Sequence, residues 1–193
     1  MEPQKRRSFR APSLIALLWG ASLASCAPAS DENNTSSLNE SALRWYPLVE
    51  GDAWQILEPE TDPYRAALVG RTRCARTDFG EEYGGVELST VRCGYLTLRQ
   101  GLLRSVARGA LIELQLWHSP LVSERQREGL IALRIGEEEL WRQPLLIPAD
   151  AESWTLRWES ERALKAGAEV LFHVHNHGAN SYTLYRLSVG YPE

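Results

Sequence analysis

Val170–Val189 reads VLFHVHNHGANSYTLYRLSV and holds three of the chain's four histidines at a strict spacing of two. Val170, Phe172 and Val174 alternate with Leu171, His173, His175 and His177. An extended strand therefore turns the first set towards a core and the histidines to the opposite face. A Gly178-Ala-Asn-Ser181 turn follows, and a second alternating run covers Tyr182–Val189. Glycine permits a positive φ, and the side chains of Asn176 and Asn180 can bond nearby backbone. The stretch predicts a β-hairpin whose second strand sets Tyr182, Leu184 or Arg186 beside the histidines.

Working outward, the same signal recurs. Val86–Thr90, Tyr95–Gln100, Ala110–His118, Leu130–Ile135, Glu139–Ile147 and Trp154–Trp158 are β-branched or alternating, with Gly, Pro or charged turns between them. Ile131–Ile135, Gly136-Glu137 and Glu139–Trp141 predict a tight hairpin. Helical turns are expected only at Leu102–Ala107 and Glu159–Leu164, and the Trp- and Pro-rich stretch from Leu43 to Gly70 reads as an irregular wrap with one short strand. His118 shares parity with Ile112, Leu114 and Leu116, which places it on a core face, and Trp154 and Trp158 share another with Leu156. The pattern predicts an all-β chain, a single antiparallel β-sandwich or barrel over residues 43–193.

The order of these signals carries a resemblance. A strand with a Gly-Glu hairpin at Leu133–Trp141 is followed by an Ile147-Pro148 exit and the Trp154–Trp158 strand. Ala166-Gly167 then precedes another strand and the closing hairpin. This order is similar to the galactose-binding-like jelly rolls, which are carbohydrate-binding and cell-surface sandwich domains. The resemblance spans roughly residues 80–190. It implies a jelly-roll sandwich and favours binding over catalysis, but it assigns no metal- or sugar-binding residue.

Ahead of the domain, basic residues from Lys5 to Arg10 precede an apolar run, Leu14–Ala24, too short to span a bilayer. The run closes on Leu23-Ala24-Ser25-Cys26, which resembles the lipobox of bacterial lipoproteins. In that family the cysteine is acylated and becomes the new N-terminus, and two or three chains anchor stably where one is marginal. The resemblance implies a signal peptide over residues 1–25, a lipidated Cys26 and a protein anchored in a bacterial cell envelope. Ala27 offers no acidic retention signal, which favours the outer membrane. Residues 26–42 are too poor in apolar side chains to offset their ordering entropy and read as a tether. Residues 1–25 add a net +3 to a chain of 193 residues and charge −4, so that without them the charge is −7. Such a surface repels nucleic acid.

The chemistry available is limited. An exported chain meets an oxidising compartment, so Cys74 and Cys93 predict a disulfide; closing a loop of about 20 residues contributes roughly 3 kcal/mol. The histidines leave three readings open. They can form a packed polar layer under the N-terminal wrap. Alternatively, His173 and His175, with Tyr182 and Arg186, can bind a glycan or an envelope protein. As a third reading, neighbouring pairs among His173, His175 and His177 can chelate zinc or copper. Residues i and i+2 rise about 6.6 Å along a strand, so one ion cannot easily take all three. The expected outward residues are His173 and His175, with His177, nearest the turn, in the packed layer. The sequence holds no Gly-x-Ser-x-Gly elbow, no phosphate loop and no His-Glu-x-x-His, so the chain reads as a binding or structural protein with no catalytic residue, a metal-binding protein or metal-dependent enzyme being the alternative.

Overall fold

Alternation in the sequence becomes two facing antiparallel sheets in the computed structural model, which describes residues 43–192. One sheet runs in the order β3 (Phe79–Glu82), β4 (Gly85–Ser89), β11 (Ser181–Pro192), β6 (Leu111–His118), β9 (Glu152–Glu159), with β1 (Leu43–Pro47) also paired to β11. The other runs β2 (Gln55–Ile56), β5 (Tyr95–Gly101), β10 (Glu169–His175), β7 (Arg127–Ile135), β8 (Glu138–Ile147). We call these the β11 sheet and the β10 sheet. The fold is a jelly-roll-like β-sandwich, as the strand pattern predicts. Among the described residues no helix is long and apolar enough to cross a membrane.

Every second residue of the central strands enters the layer between the sheets. Val170, Phe172 and Val174 meet Leu96, Leu98, Ile131 and Leu133 there, and the β11 sheet supplies Val86, Leu88, Ile112, Leu114 and Leu184. Each such side chain contributes roughly 1.5–3 kcal/mol by leaving water. His118 is buried on the inward face of β6, and Trp154, Leu156 and Trp158 pack against the core. The Gly136-Glu137 turn joins β7 to β8 with Ile135 opposite Glu138.

The structure departs from the sequence reading at three places. First, Val170–Val189 is not a hairpin. β10 is flanked by β5 and β7, and β11 by β4, β1 and β6, so the two strands lie in different sheets. Asn176–Asn180 is an arch that carries the chain across the sandwich. The side chains of Asn176 and Asn180 are buried and bond Thr90, Val122 and each other. Gly178 has a φ of 98°, and a Cβ there would collide with the carbonyl oxygen of Val122. Second, the wrap holds two short strands, β1 and β2, and β3 pairs with β4 in a turn the sequence reading omits. Third, Leu102–Ala107 and Glu159–Leu164 form no helix; Val106 and Leu164 bridge each other, and the helical turns fall instead at Arg65–Leu68 and Arg76–Asp78.

Cys74 and Cys93 are disulfide-bonded, with Cα atoms 4.9 Å apart. The bond ties the end of the wrap to the approach into β5. The signal segment, Cys26 and the tether lie outside the described residues.

Candidate functional site

The outer face of the β10 sheet carries the histidines, and the chain covers only part of it. Cross-strand register sets Thr97 of β5 and Ala132 of β7 on either side of His173, and Tyr95 and Leu130 on either side of His175. Over His173 lies Tyr64 of the wrap, with ring centroids 4.1 Å apart and planes inclined by only 11°. Tyr95 meets the same imidazole edge-on at 5.1 Å. Tyr64, Tyr95, Leu130 and Ala132 form a second small core there, with Ala67 and Leu68 packed against it.

Polar atoms under this cover are paired. Asp62, itself buried, accepts from the Tyr95 hydroxyl at 2.6 Å and from the Tyr64 backbone N–H at 2.8 Å. The Tyr64 hydroxyl donates to Glu139 at 2.9 Å. Burial first, and these carboxylate partners second, raise both phenols above their ordinary range. Thr97 Oγ1 lies 2.8 Å from His173 Nδ1, and His173 Nε2 lies 3.0 Å from His175 Nδ1. One proton serves that last bond, so the two rings cannot both be cations. Burial holds His173 neutral far below the usual histidine range, reinforced by the charges of His175, Arg142 and Arg71.

Past His173 the cover ends and the face opens. A cavity of about 370 Å³ between β7, β8 and β10 is lined by His175, Arg142, Pro144 and Leu146. Beside it, a cavity of about 430 Å³ is lined by His177, Arg71, Arg127 and Gln126. Glu128 and Leu146 line both, so the two form one groove. Arg71 donates from Nη2 to His177 Nε2 at 3.0 Å, because a guanidinium has no acceptor. Desolvation, then Arg71 and Arg142, push His175 down to about 4. Desolvation, Arg71 and Arg127 lower His177 as well. The groove therefore presents three guanidiniums against one carboxylate, Glu128, with two neutral imidazoles and an apolar floor of Pro144 and Leu146.

The sequence-predicted residues are divided by this arrangement. His173 is 0% exposed, contrary to the expectation that it faces solvent, while His175 and His177 are both half-buried beside the groove, so His177 is less covered than His173 where the expectation put it in the packed layer. The cause is the cover: the wrap crosses the middle of β10 and leaves the end nearest the arch open. Tyr182 and Arg186 do not join the histidines, because β11 belongs to the other sheet. Tyr182 is fully buried in the core, its phenol pKa raised by burial, and its hydroxyl has no partner among the described residues. A bulge between Leu184 and Arg186 turns Arg186 outward on the β11 sheet. The three histidines do not make one ligand set either. Among the described residues the only convergent group of three or more His, Cys or carboxylate atoms is Cys74, Asp78 and Cys93, whose sulfurs are bonded to each other. Asp62, Tyr64, Arg71, Arg127 and Arg142 complete the site and were not singled out from sequence. The predicted Gly136-Glu137 hairpin fixes the register of Arg142 against β7, but which strand flanks β7 on its other side is not a local property.

No known protein family's sequence profile matches the chain, and no curated protein matches it. Solved structures that are similar include a CBM4 carbohydrate-binding domain, 12% identical over 76% of this chain and 95% of that one, with a TM-score of 0.40. Another is the K3 cleaved adhesin domain of Lys-gingipain from Porphyromonas gingivalis, 9% identical over 76% and 99%, TM-score 0.43. A third is a carbohydrate-binding module that recognises mannan, 10% identical over 78% and 99%, TM-score 0.41. None of the three is similar enough to transfer a ligand or an activity to this chain.

Proposed function

We propose that this protein is a lipid-anchored binding protein of the bacterial cell envelope, and that the open groove of the β10 sheet holds an acidic polysaccharide. The observation that carries the groove reading is the convergence of Arg71, Arg127 and Arg142 on His175 and His177 in a chain of net charge −4. Guanidiniums bind carboxylates in bidentate pairs, neutral imidazoles accept and donate to hydroxyls, and Pro144 with Leu146 offers apolar surface to a sugar face. Leu23-Ala24-Ser25-Cys26 after a short apolar run supports the anchor, and the Cys74–Cys93 disulfide, a bond that persists in oxidising compartments, supports export.

The groove is tested by titrating purified protein with polygalacturonate and with an uncharged glucan. The expected result is binding of the polyuronate alone, weakening as salt rises, with Arg71→Ala plus Arg127→Ala reducing affinity at least tenfold, about 1.4 kcal/mol. Equal binding of the uncharged polymer, or indifference to the two arginines, would overturn the reading. An acidic peptide that outcompetes the polyuronate would reassign the ligand. For the anchor, Cys26→Ser is expected to abolish metabolic labelling with palmitate, and labelling that survives would remove it.

A further inference from the structure

On the β11 sheet, away from the groove, two large aromatic side chains stand in water with no structural duty. Tyr83 is 79% exposed and Tyr185 is 40% exposed. Tyr83 occupies the β3–β4 turn with a φ of 51°, the only positive φ outside glycine among the described residues. A bulky residue is disfavoured in that conformation, and Asn, Asp or Gly is what a two-residue turn of this kind selects. The turn does not need a tyrosine, and a core contact does not explain it. Tyr185 is the extra residue of the β11 bulge, a feature that re-aims a side chain.

Both rings line the same cavity of about 180 Å³, which opens where β11 runs between the ends of β4 and β1. Its walls are tight. A Cβ on Gly85 would collide with Leu184 and Tyr185, and one on Gly51 would collide with Gly85. Small residues thus bring three backbone segments together around the opening. Trp54 also lines it. That side chain is 3% exposed, packs on Phe172, and its Nε1–H is buried with no acceptor among the described residues. A buried donor left unpaired is costly and rare in native proteins. Glu50 and Arg186 add an acceptor and further donors to the lining.

Rigid aromatic faces bind the C–H face of a sugar ring, and flanking charged groups match its hydroxyls. We infer that this cavity is a second binding site, independent of the groove, which takes one neutral pyranose ring between Tyr83 and Tyr185 with its ring hydroxyls meeting Glu50 and Arg186. The volume admits a single unit, so the ligand is a terminal or branching sugar and not the interior of a linear chain.

The test uses full-length protein in detergent and a panel of methyl pyranosides (gluco, galacto, manno and xylo). Saturation-transfer NMR is expected to show contact with at least one of them, and the ¹⁵N-labelled indole resonance of Trp54 is expected to move on its addition. Tyr83→Gly suits the left-handed turn and leaves the fold at least as stable, so the tenfold or greater loss of affinity expected in that variant cannot come from unfolding. Tyr185→Ala is expected to weaken binding similarly, while Arg71→Ala plus Arg127→Ala leaves it unchanged. Failure of every pyranoside to bind or to move the indole signal would overturn the site. Undiminished binding in a Tyr83→Gly plus Tyr185→Ala variant would overturn it equally.

Discussion

Within one strand, β10 and its continuation into the arch, two histidines of like spacing have opposite surroundings. His173 lies under Tyr64, bonded to Thr97 and His175, and has no exposed surface. His177, four residues on, lines an open cavity and accepts from Arg71. Strand periodicity puts both on the outer side of the sheet, but it says nothing about what crosses above. The crossing segment decides the chemistry: where the wrap covers β10 the imidazole is scaffold, and where it stops the imidazoles and arginines are free to meet a ligand. A histidine row on a strand is therefore not a unit of function.

The strongest way to break this contrast is to release the cover. Cys74 fastens the wrap to Cys93 just before β5, and Cys74→Ser plus Cys93→Ser reopens a loop of about 20 residues at a cost of roughly 3 kcal/mol. Urea unfolding should show a lower midpoint and a steeper slope, because the denatured chain without the cross-link exposes more surface. Hydrogen exchange should show the amides of Asp62 and Tyr64 losing protection more than those of Val170–Val174. Uniform loss across both regions would mean that cover and sheet unfold as one unit, and the distinction drawn above would fail.

A second effect, next in size, tests the sealed side alone. His173→Ala removes a ring stacked on Tyr64 and leaves Thr97 and His175 without their partner. The expected cost is about 2–3 kcal/mol, in the range for a buried hydrogen-bonded side chain. Thermal unfolding of this variant should fall by several degrees. A midpoint within one degree of the parent would show that the stack contributes nothing.

The legible part of this molecule is what repeats locally. All eight strands expected between Val86 and Val189 are present, because alternation reports burial directly. Even the β11 bulge is written in the chain: the inward residues are Tyr182 and Leu184 before it and Leu187 and Val189 after it, a change of phase at Tyr185. Reading Tyr182 and Arg186 as partners missed that change. The hairpin failed for a different reason. Two alternating runs joined by Asn and Gly suit an arch as well as a hairpin, and the choice rests on β5, β7, β4 and β6 already holding both edges of each strand. Tyr64, Asp62 and Arg71 belong to a segment with no period, so their position over β10 is set by tertiary contacts that no window of sequence contains.

Acid sharpens the contrast by titrating both sides at once. His173 and His175 have folded-state values below that of the unfolded chain. Above pH about 6.5 neither state is protonated and the pair has no effect on stability. As pH falls below that value the unfolded chain takes up protons that the fold refuses, and stability drops by about 1.4 kcal/mol per pH unit for each histidine held neutral. For His175 the loss levels off near pH 4, where the folded ring protonates. It continues lower for His173. Unfolding free energies measured between pH 7 and 4 should decline along this course, and the decline should be shallower in His173→Ala. An identical slope in that variant would show that the sealed imidazole is not the group responsible.

The smallest stability effect belongs to the open side. His177 is partly exposed beside the groove, its main polar contact is with the half-buried Arg71, and substitutions of such a residue change stability by no more than about 0.5 kcal/mol. His177→Ala should melt with the parent protein. If the groove is the ligand site, the same substitution should weaken polyuronate binding several-fold, because it removes the acceptor that holds the Arg71 guanidinium in place over the cavity. His177→Gln, which keeps an acceptor at similar reach, should restore most of the affinity. A stability loss comparable with that of His173→Ala would place His177 in the scaffold. Unchanged binding in His177→Ala would detach it from the groove, and either result would erase the division between the covered and the open ends of this strand.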